Sequence, residues 1–341
     1  MKNTLRTSLT RIARFTEGAR IKPLPREKWG WGDYVACEVV EAPGPDRWIE
    51  LPNGRLIQVA VGDLLLGALG TRFATLALTG TWKQIGPEGR MQVLTAAGLF
   101  GKVTSLSPFE PTPIELQYRG HVMAPGSTKA RMRDYAVKGS RKRFRIPVLL
   151  VLGSSMSCGK TQAARILIRR LKQMNLKVLA AKLTGAGRFR DVLSMKDAGA
   201  DAIFDFVDAG LPSTVCSEAM YRTQIGRLLS AIAEVPADVL VVEAGASPLE
   251  PYNGATAAAL LAPHVRFCLL CCTDPYAAVA LIGATPCPPD LIGGMACNTV
   301  AGIELLRSLC DIPGRNLSDP ANHPALDALL AERFGRGAGH C

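Results

Sequence analysis

A stretch of small and polar residues carries the clearest chemical signal in this chain. It runs from Gly153 to Thr161 and reads Gly-Ser-Ser-Met-Ser-Cys-Gly-Lys-Thr, with an apolar run, 146–152, before it and a helix-like segment, 161–175, after it. Backbone N–H groups at a helix start favour an anion. A lysine adds a cation for the β- and γ-phosphates, and a threonine hydroxyl can bind Mg²⁺. The stretch therefore predicts a phosphate-binding loop.

The spacing of this loop departs from the usual pattern, in which a glycine and four residues precede Gly-Lys-Ser/Thr. Ser154 occupies the first glycine position, and Gly153 lies one residue earlier. An ordinary turn before a helix, without a ligand, is the alternative, but the flanking strand and helix favour the phosphate loop. We predict nucleotide contacts from these residues: Gly153, Ser155, Met156, Ser157, Cys158, Gly159, Lys160, Thr161 and Gln162.

A carboxylate, Glu243, ends a later apolar strand, 237–243. The carboxyl ends of central parallel strands face the ligand crevice of an open α/β sheet, where a carboxylate can bind Mg²⁺ directly or through water. A solvated strand-end residue is the alternative. We predict that Thr161 and Glu243 form the metal site. Lys160, Lys182 and Glu243 are the predicted catalytic groups, with Lys182 neutralising a phosphoryl group or binding substrate.

Two resemblances follow from these residues. The spacing Gly-x5-Gly-Lys-Thr is similar to that of dethiobiotin synthetase, and the turn that begins at Glu243 resembles the turn after that enzyme's magnesium-binding strand. Residues 146–312 more closely resemble a P-loop family that includes N-acetyl-D-glutamate racemase and D-glutamate N-acetyltransferase-like proteins. Its landmarks occur here in matching order, as Cys272-Thr273-Asp274-Pro275, Pro286-Cys287-Pro288-Pro289 and Ala296-Cys297-Asn298-Thr299.

The resemblance implies ATP and Mg²⁺ as cofactors and places Asn298 near the nucleotide base. It also implies that relatives carry Asp where this chain has Ser155, which supplies no charge. Two interpretations stay open: Glu243 and Thr161 suffice for the metal, or the chemistry has changed.

The first functional hypothesis is an ATP- and Mg²⁺-dependent enzyme that phosphorylates or activates a small carboxylate, of kinase, ligase or racemase-like type. Activation through an acyl phosphate rests on analogy with the relatives alone. Guanidinium groups suit a substrate carboxylate, although an exposed basic loop is the alternative for the two arginines. The candidate substrate residues are Thr184, Arg188, Arg190, Asp205, Ser247, Tyr252 and Asn253.

Two other hypotheses come from different classes. A GTP-dependent switch or metallocentre maturation factor is compatible with the ten cysteines, although Asn298-Thr299 lacks the Lys-x-Asp that usually reads guanine. A nucleotide-sensing, nucleic-acid-binding protein is the other, because residues 129–145 hold eight Lys or Arg and one acid, a net +7 of the chain's +11. A solvated linker is the alternative for that segment.

The 341 residues are enough for two domains. Residues 1–125 combine short strand-like runs with frequent turns and predict a mainly-β domain, a barrel or a sandwich. Residues 126–145 form a basic linker, and residues 146–335 alternate strands and helices. That order predicts an α/β P-loop NTPase-type domain, a mostly parallel sheet with helices on both faces. No apolar run reaches the ~20 residues of a membrane helix. We expect a cytoplasmic protein that forms a homodimer or larger assembly.

Overall fold

The computed structural model describes residues 4–13, 15 and 19–335. Its contacts divide the chain into two compact units. The first contains the described residues up to Lys138 together with Ala186–Arg190 and Phe206–Val215. The second contains Gly139–Gly185, Asp191–Asp205 and the described residues from Cys216.

The first unit is built mainly from β-strands. They are β1 (Thr4–Arg6), β2 (Ile21–Lys22), β3 (Tyr34–Glu41), β4 (Trp48–Glu50), β5 (Leu56–Gln58), β6 (Leu64–Leu69), β7 (Thr71–Phe73), β8 (Leu78–Thr81), β9 (Arg90–Thr95), β10 (Leu99–Leu106) and β11 (Glu115–Val122). Successive pairing of β6, β3, β11, β9 and β10, with β10 returning to β6, closes a ring. Of the two architectures expected for this region, the pairing is that of a small barrel.

Alternation along these strands explains the core of the barrel, because side chains on a strand point to opposite faces in turn. Val35, Cys37 and Val39 of β3 are all fully buried and pack with Trp29 and Phe100. Asn53-Gly54, which the sequence favours as a hairpin turn, joins the antiparallel strands β4 and β5 as predicted.

The second unit alternates strands and helices. They are β12 (Val148–Gly153), α1 (Lys160–Gln173), β13 (Val178–Thr184), α2 (Phe189–Asp197), β14 (Ala202–Asp205), α3 (Glu218–Ile232), β15 (Val239–Ala244), α4 (Gly254–Leu261), β16 (Val265–Cys271), α5 (Pro275–Ile282), β17 (Leu291–Gly293), α6 (Val300–Leu309) and α7 (His323–Phe334). The strand order is β14-β13-β15-β12-β16-β17, and neighbouring strands pair in parallel. The fold of this unit is therefore α/β, with a parallel sheet.

The register of this sheet places its polar strand ends side by side. Lys182 of β13 lies opposite both Glu243 of β15 and Asp205 of β14, and Val151 of β12 also lies opposite Glu243. Parallel strands end at the same edge of a sheet, so the residues that follow Val151 meet these side chains there.

Two elements of the second unit escape sequence reasoning. The runs 146–152, 161–175 and 237–243 match β12, α1 and β15 to within a few residues, but the sequence predicts no helix at α2 and no strand at β14. The start of α2 holds Arg190, which we predicted to bind a substrate carboxylate, with an exposed basic loop as the alternative. Part of the basic segment 129–145 also has regular backbone pairing, because Lys129 forms an isolated β-bridge with Met123 and Arg131 forms one with Asp33.

Candidate nucleotide site

Gly153 ends β12, and Lys160 begins α1, so residues 154–159 form a loop between a strand and a helix start. A Cβ at Gly153 would lie 2.5 Å from the Cys158 Sγ and 2.7 Å from the Lys160 Cδ. Only glycine therefore lets the stem of Lys160 fold back over the strand end. This contact explains why the glycine stands one position earlier than in the usual pattern.

The loop ends in a left-handed residue, Gly159, with φ of 98° and ψ of 9°. Glycine adopts this conformation without the steric cost that a Cβ brings. The first helical hydrogen bond runs from the N–H of Ala163 to the carbonyl of Gly159 over 3.0 Å. The N–H groups of Lys160, Thr161 and Gln162 precede it and have no intrahelical acceptor, so they are available to an anion at the helix start.

Lys160 is only 2% exposed, and its ammonium lies inside the loop. It donates to the carbonyl of Ser155 and lies 3.5 Å from the Cys158 Sγ. Within the described part of the chain, no carboxylate forms an ion pair with it. A buried cation with only neutral acceptors is costly unless an anion joins it.

Ser155 adds a second unsatisfied group to the same loop. Its side chain is 5% exposed, and among the described residues its Oγ has no hydrogen-bond partner. A buried hydroxyl without a partner costs about 1–3 kcal/mol, which favours a ligand that would satisfy it. Met156, Ser157 and Cys158 complete the loop, with Ser157 exposed and Cys158 buried.

Glu243 lies beside the loop and is 2% exposed. Its Oε2 accepts a hydrogen bond of 2.9 Å from the Thr161 Oγ1, and its Oε1 lies 3.6 Å from the Lys182 Nζ. A threonine hydroxyl and a carboxylate are oxygen ligands of the kind that Mg²⁺ takes beside phosphates. The two residues predicted as the metal site are thus in contact, and their chemistry fits magnesium.

Lys182 connects this carboxylate to a helix that the sequence did not reveal. It pairs with Asp191, in the first turn of α2, as well as with Glu243. Burial disfavours its charge, but Asp191, Glu243 and Asp205 outweigh that effect and raise the pKa of Lys182 above its ordinary value. Lys182 is therefore a charged group at the centre of a buried acidic cluster.

Asp191 is the functional candidate that sequence reasoning missed. It follows Arg188-Phe189-Arg190, a basic run that resembles a loop. The available signal was the spacing of Val192 and Met195, both fully buried and three residues apart, which indicates one face of a helix.

Close backbone packing fixes the turn after Glu243. A Cβ at Gly245 would lie 2.2 Å from the Thr184 carbonyl oxygen and 2.7 Å from the Lys182 Cε. Thr184, predicted to contact substrate, is fully buried, and its Oγ1 has no hydrogen-bond partner within the described residues. This hydroxyl and that of Ser155 are two buried polar groups at the same edge of the sheet.

The other predicted substrate residues belong to both compact units. Arg188 and Arg190 belong to the first compact unit, where the Arg190 N–H donates to Glu50 over 2.8 Å. Asp205 is buried at the end of β14, next to Lys182. Tyr252 is completely buried, and Ser247 is 4% exposed. Asp205 and Thr184 thus lie near Lys182 at one edge of the parallel sheet.

Asn253 and Asn298 lie at helix starts. Asn253 has a φ of 60°, precedes α4, and donates from its Nδ2 to the Cys216 carbonyl over 3.1 Å. Asn298 is exposed and lies after Gly294 in the chain. A Cβ at Gly294 would lie 2.3 Å from the Cys158 carbonyl oxygen. The segment after β17 therefore packs against the loop, and Asn298 lies four residues beyond that contact.

Cysteines under the loop are neutral thiols. Burial raises the pKa of both Cys271 and Cys272, so neither is a thiolate near neutral pH. Across the described residues, no group of three or more His, Cys, Asp or Glu side chains is placed to hold a metal ion. No described helix is long and apolar enough to span a membrane.

No family model matches this chain, and no curated protein is significantly similar to it. Solved structures show slight similarity. The signal recognition particle receptor FtsY from Elizabethkingia anophelis is 17% identical with a TM-score of 0.35, and the alignment covers 52% of this chain and 59% of that one. Chloroplast FtsY from Physcomitrella patens is 17% identical with a TM-score of 0.35, covering 58% and 71%.

FlhF complexed with GMPPNP and Mg²⁺ is 14% identical with a TM-score of 0.31, and the alignment covers 54% of this chain and 70% of that one. None of these neighbours is described as a kinase or a ligase. The ATP-dependent kinase or ligase expected from the sequence is therefore wrong as an assignment, and we withdraw it.

Proposed function

We propose that this chain is a nucleoside-triphosphate-dependent switch that binds its nucleotide with Mg²⁺ at residues 153–161. The observation that carries the proposal is the buried Lys160 ammonium, which lies among neutral acceptors beside free helix-start N–H groups. The resemblance to the racemase and acetyltransferase-like family remains a prediction about ancestry and adds no reaction. Two hypotheses remain besides the kinase or ligase, the GTP-dependent switch and the nucleotide-sensing, nucleic-acid-binding protein, and GTP is the proposed ligand because the switch hypothesis specifies it.

Each residue has a defined part in this proposal. The N–H groups of the helix start and Lys160 would hold the β- and γ-phosphates. Thr161 and Glu243 would hold Mg²⁺, which neutralises phosphate charge when bound. Ser155 would donate its unsatisfied hydroxyl to a phosphate oxygen. Asn298 is the proposed neighbour of the base.

The switch itself rests on the shared contacts of Glu243. This carboxylate now accepts from Thr161 and lies beside Lys182, which pairs with Asp191 of α2. A ligand that engages Thr161 and Glu243 competes with these contacts and changes how strongly Lys182 is held. Because a ligand shifts a conformational equilibrium only through such differential contacts, α2 is the element proposed to respond to the nucleotide.

Competition binding tests the ligand. A fluorescent GTP analogue is titrated with protein in Mg²⁺ and then displaced by GTP or by ATP. We expect displacement by GTP at a concentration about tenfold lower than by ATP, a difference of about 1.4 kcal/mol. A preference for ATP would reject the GTP assignment while leaving the phosphate loop intact.

Hydrogen exchange tests the switch. We expect slower or faster exchange at residues 189–197 when GTP and Mg²⁺ are added, and a smaller effect in Glu243→Gln. In that variant, the ratio of nucleotide affinity in Mg²⁺ to nucleotide affinity in EDTA should fall by about tenfold to a hundredfold. Glu234→Gln, at an exposed acid outside the site, is the control. Unchanged exchange in α2 on saturation with nucleotide would reject the switch.

A further inference from the structure

The segment 139–145 is anchored within the second unit by Ser140 and by one aromatic ring. The Ser140 N–H donates to the Ser230 Oγ over 3.0 Å, and the Ser140 Oγ donates to the Ser230 carbonyl over 2.8 Å. Four residues later, the Phe144 ring is 8% exposed and packs edge-on against His264, with centroids 5.0 Å apart. These contacts hold the backbone between Ser140 and Phe144 in a fixed position.

The residues around these anchors form a patch that we call the basic edge. The anchored segment exposes Arg141, Lys142, Arg143 and Arg145, and the fold adds Arg227 from α3 and Arg266 from β16, both also exposed. A Cβ at Gly139 would lie 3.3 Å from the Cα of Arg227. Burial first, and then the charges of Arg143 and Arg266, lower the pKa of His264, which places both arginines near that ring.

These cations lack the acidic partners that other basic residues of the same unit have. Arg170 pairs with Asp327, Lys172 with Asp201, and Arg222 with Glu218. Across the described residues, no carboxylate forms an ion pair with a member of the basic edge. The Asp238 carboxylate, which follows α3, accepts a hydrogen bond of 2.7 Å from the Lys177 N–H. The positive charge is therefore concentrated and uncompensated.

The basic edge lies away from the phosphate loop. β12 begins at Val148, which pairs with Val265 at the start of β16, and it ends at Gly153 beside the loop. Residues 141–145 and Arg266 therefore lie where the parallel strands begin, at the opposite edge of the sheet from Lys160. A polyanion bound there leaves the nucleotide site free.

We propose that the basic edge binds the sugar-phosphate backbone of duplex nucleic acid, independently of base sequence. Arginines make up most of the patch, and their planar forks suit phosphate oxygens. Its aromatic residue, Phe144, is buried, so the patch offers no ring for stacking on unpaired bases or for insertion into a membrane. Exposed cations alone supply salt-dependent binding to a double helix.

Fluorescence anisotropy with a labelled mixed-sequence DNA duplex tests this proposal, with a single strand and anionic phospholipid vesicles as competing probes. We expect the wild type to bind the duplex at low salt. Arg141→Gln, Arg143→Gln and Arg266→Gln combined should weaken binding by about tenfold or more and reduce the slope of log K against log salt by about 2–3.

Arg169→Gln, Arg222→Gln and Arg307→Gln combined form the matched control, since they remove the same charge from exposed positions of the same unit. This control should keep the wild-type slope, and nucleotide binding should be unchanged in both triple variants. If the control weakened duplex binding equally, net charge alone would explain the effect, and the proposal would be overturned. Absence of duplex binding, or binding of vesicles but not duplex, would overturn it as well.

Discussion

Two buried polar clusters, one in each unit, differ in how their charges are compensated. In the barrel, Asp33 is 1% exposed and is bound by Lys129 at 2.6 Å and by His121 at 3.2 Å, with Arg131 at 3.7 Å. His121 in turn contacts the Tyr118 hydroxyl at 2.5 Å. Opposite charges meet inside this cluster, so its charge is compensated without a ligand, although among the described residues the Asp33 Oδ1 has no hydrogen-bond partner.

The phosphate loop has the reverse arrangement. Lys160 is buried among neutral acceptors, and the hydroxyls of Ser155 and Thr184 have no hydrogen-bond partner among the described residues. Buried groups left in this state lower stability, whereas an anion with acceptor oxygens would satisfy them together. Each cluster holds a buried polar atom without a hydrogen-bond partner, so the difference between them is the uncompensated charge of Lys160.

The largest effect is expected in the barrel. Asp33→Asn leaves Lys129 and its neighbours without a buried counter-charge, and breaking such a pair costs about 3 kcal/mol. Denaturant unfolding should show this loss, and nucleotide affinity should not change. Asp46→Asn, at an exposed position of the same unit, is the control. A loss as small as that of the control would mean that the cluster is not a stabilising network.

Lys160→Ala should weaken binding of the triphosphate by about a hundredfold, because hydrogen bonds to charged groups contribute about 1.5–3 kcal/mol. Calorimetric titration measures this change. Lys172→Ala, at a surface lysine on the same helix, should bind normally. Equal affinities in the two variants would remove Lys160 from the site.

Asp191→Asn removes one of the carboxylates that keep Lys182 charged, and we expect a loss of about 2 kcal/mol in the free energy of unfolding. The pKa of Lys182 is raised in the folded state. Its stabilising contribution is therefore complete below the ordinary lysine pKa of 10.5 and is lost only as the pH rises beyond it. The difference between wild type and variant should stay constant from about pH 7 to about pH 10; a difference that disappears within that range would contradict the assignment.

The smallest expected effect distinguishes most clearly between a ligand-binding role and a structural role of Ser155. Ser155→Ala removes a buried hydroxyl that has no partner, so the unliganded protein should become more stable by up to about 1 kcal/mol. Affinity for the triphosphate should fall by about tenfold. Ser157→Ala, at an exposed position of the same loop, should change neither quantity by as much. Destabilisation of the unliganded Ser155 variant would show that the hydroxyl has a structural role.

Much of the second unit was predictable, because apolar runs such as 146–152 follow local rules. Helix α2 was not, since its start is a basic run whose helical face holds only Val192 and Met195. The pairing of Lys182 with Asp191 depends on that helix, so no spacing rule revealed it. The sequence predicted that Thr161 and Glu243 share one metal-binding role, and the two residues are in contact. The position of Gly153 could not be explained from the sequence, because it depends on where the Lys160 side chain lies.

The most direct test compares calorimetric titrations of the wild type with GTP and with guanosine, both in Mg²⁺. Because we propose that the loop binds the phosphates, GTP should bind with micromolar or tighter affinity, about 8 kcal/mol. Guanosine, which has no phosphates, should bind at least about a hundredfold more weakly. Equal affinities for the two, or no heat with GTP, would contradict the account.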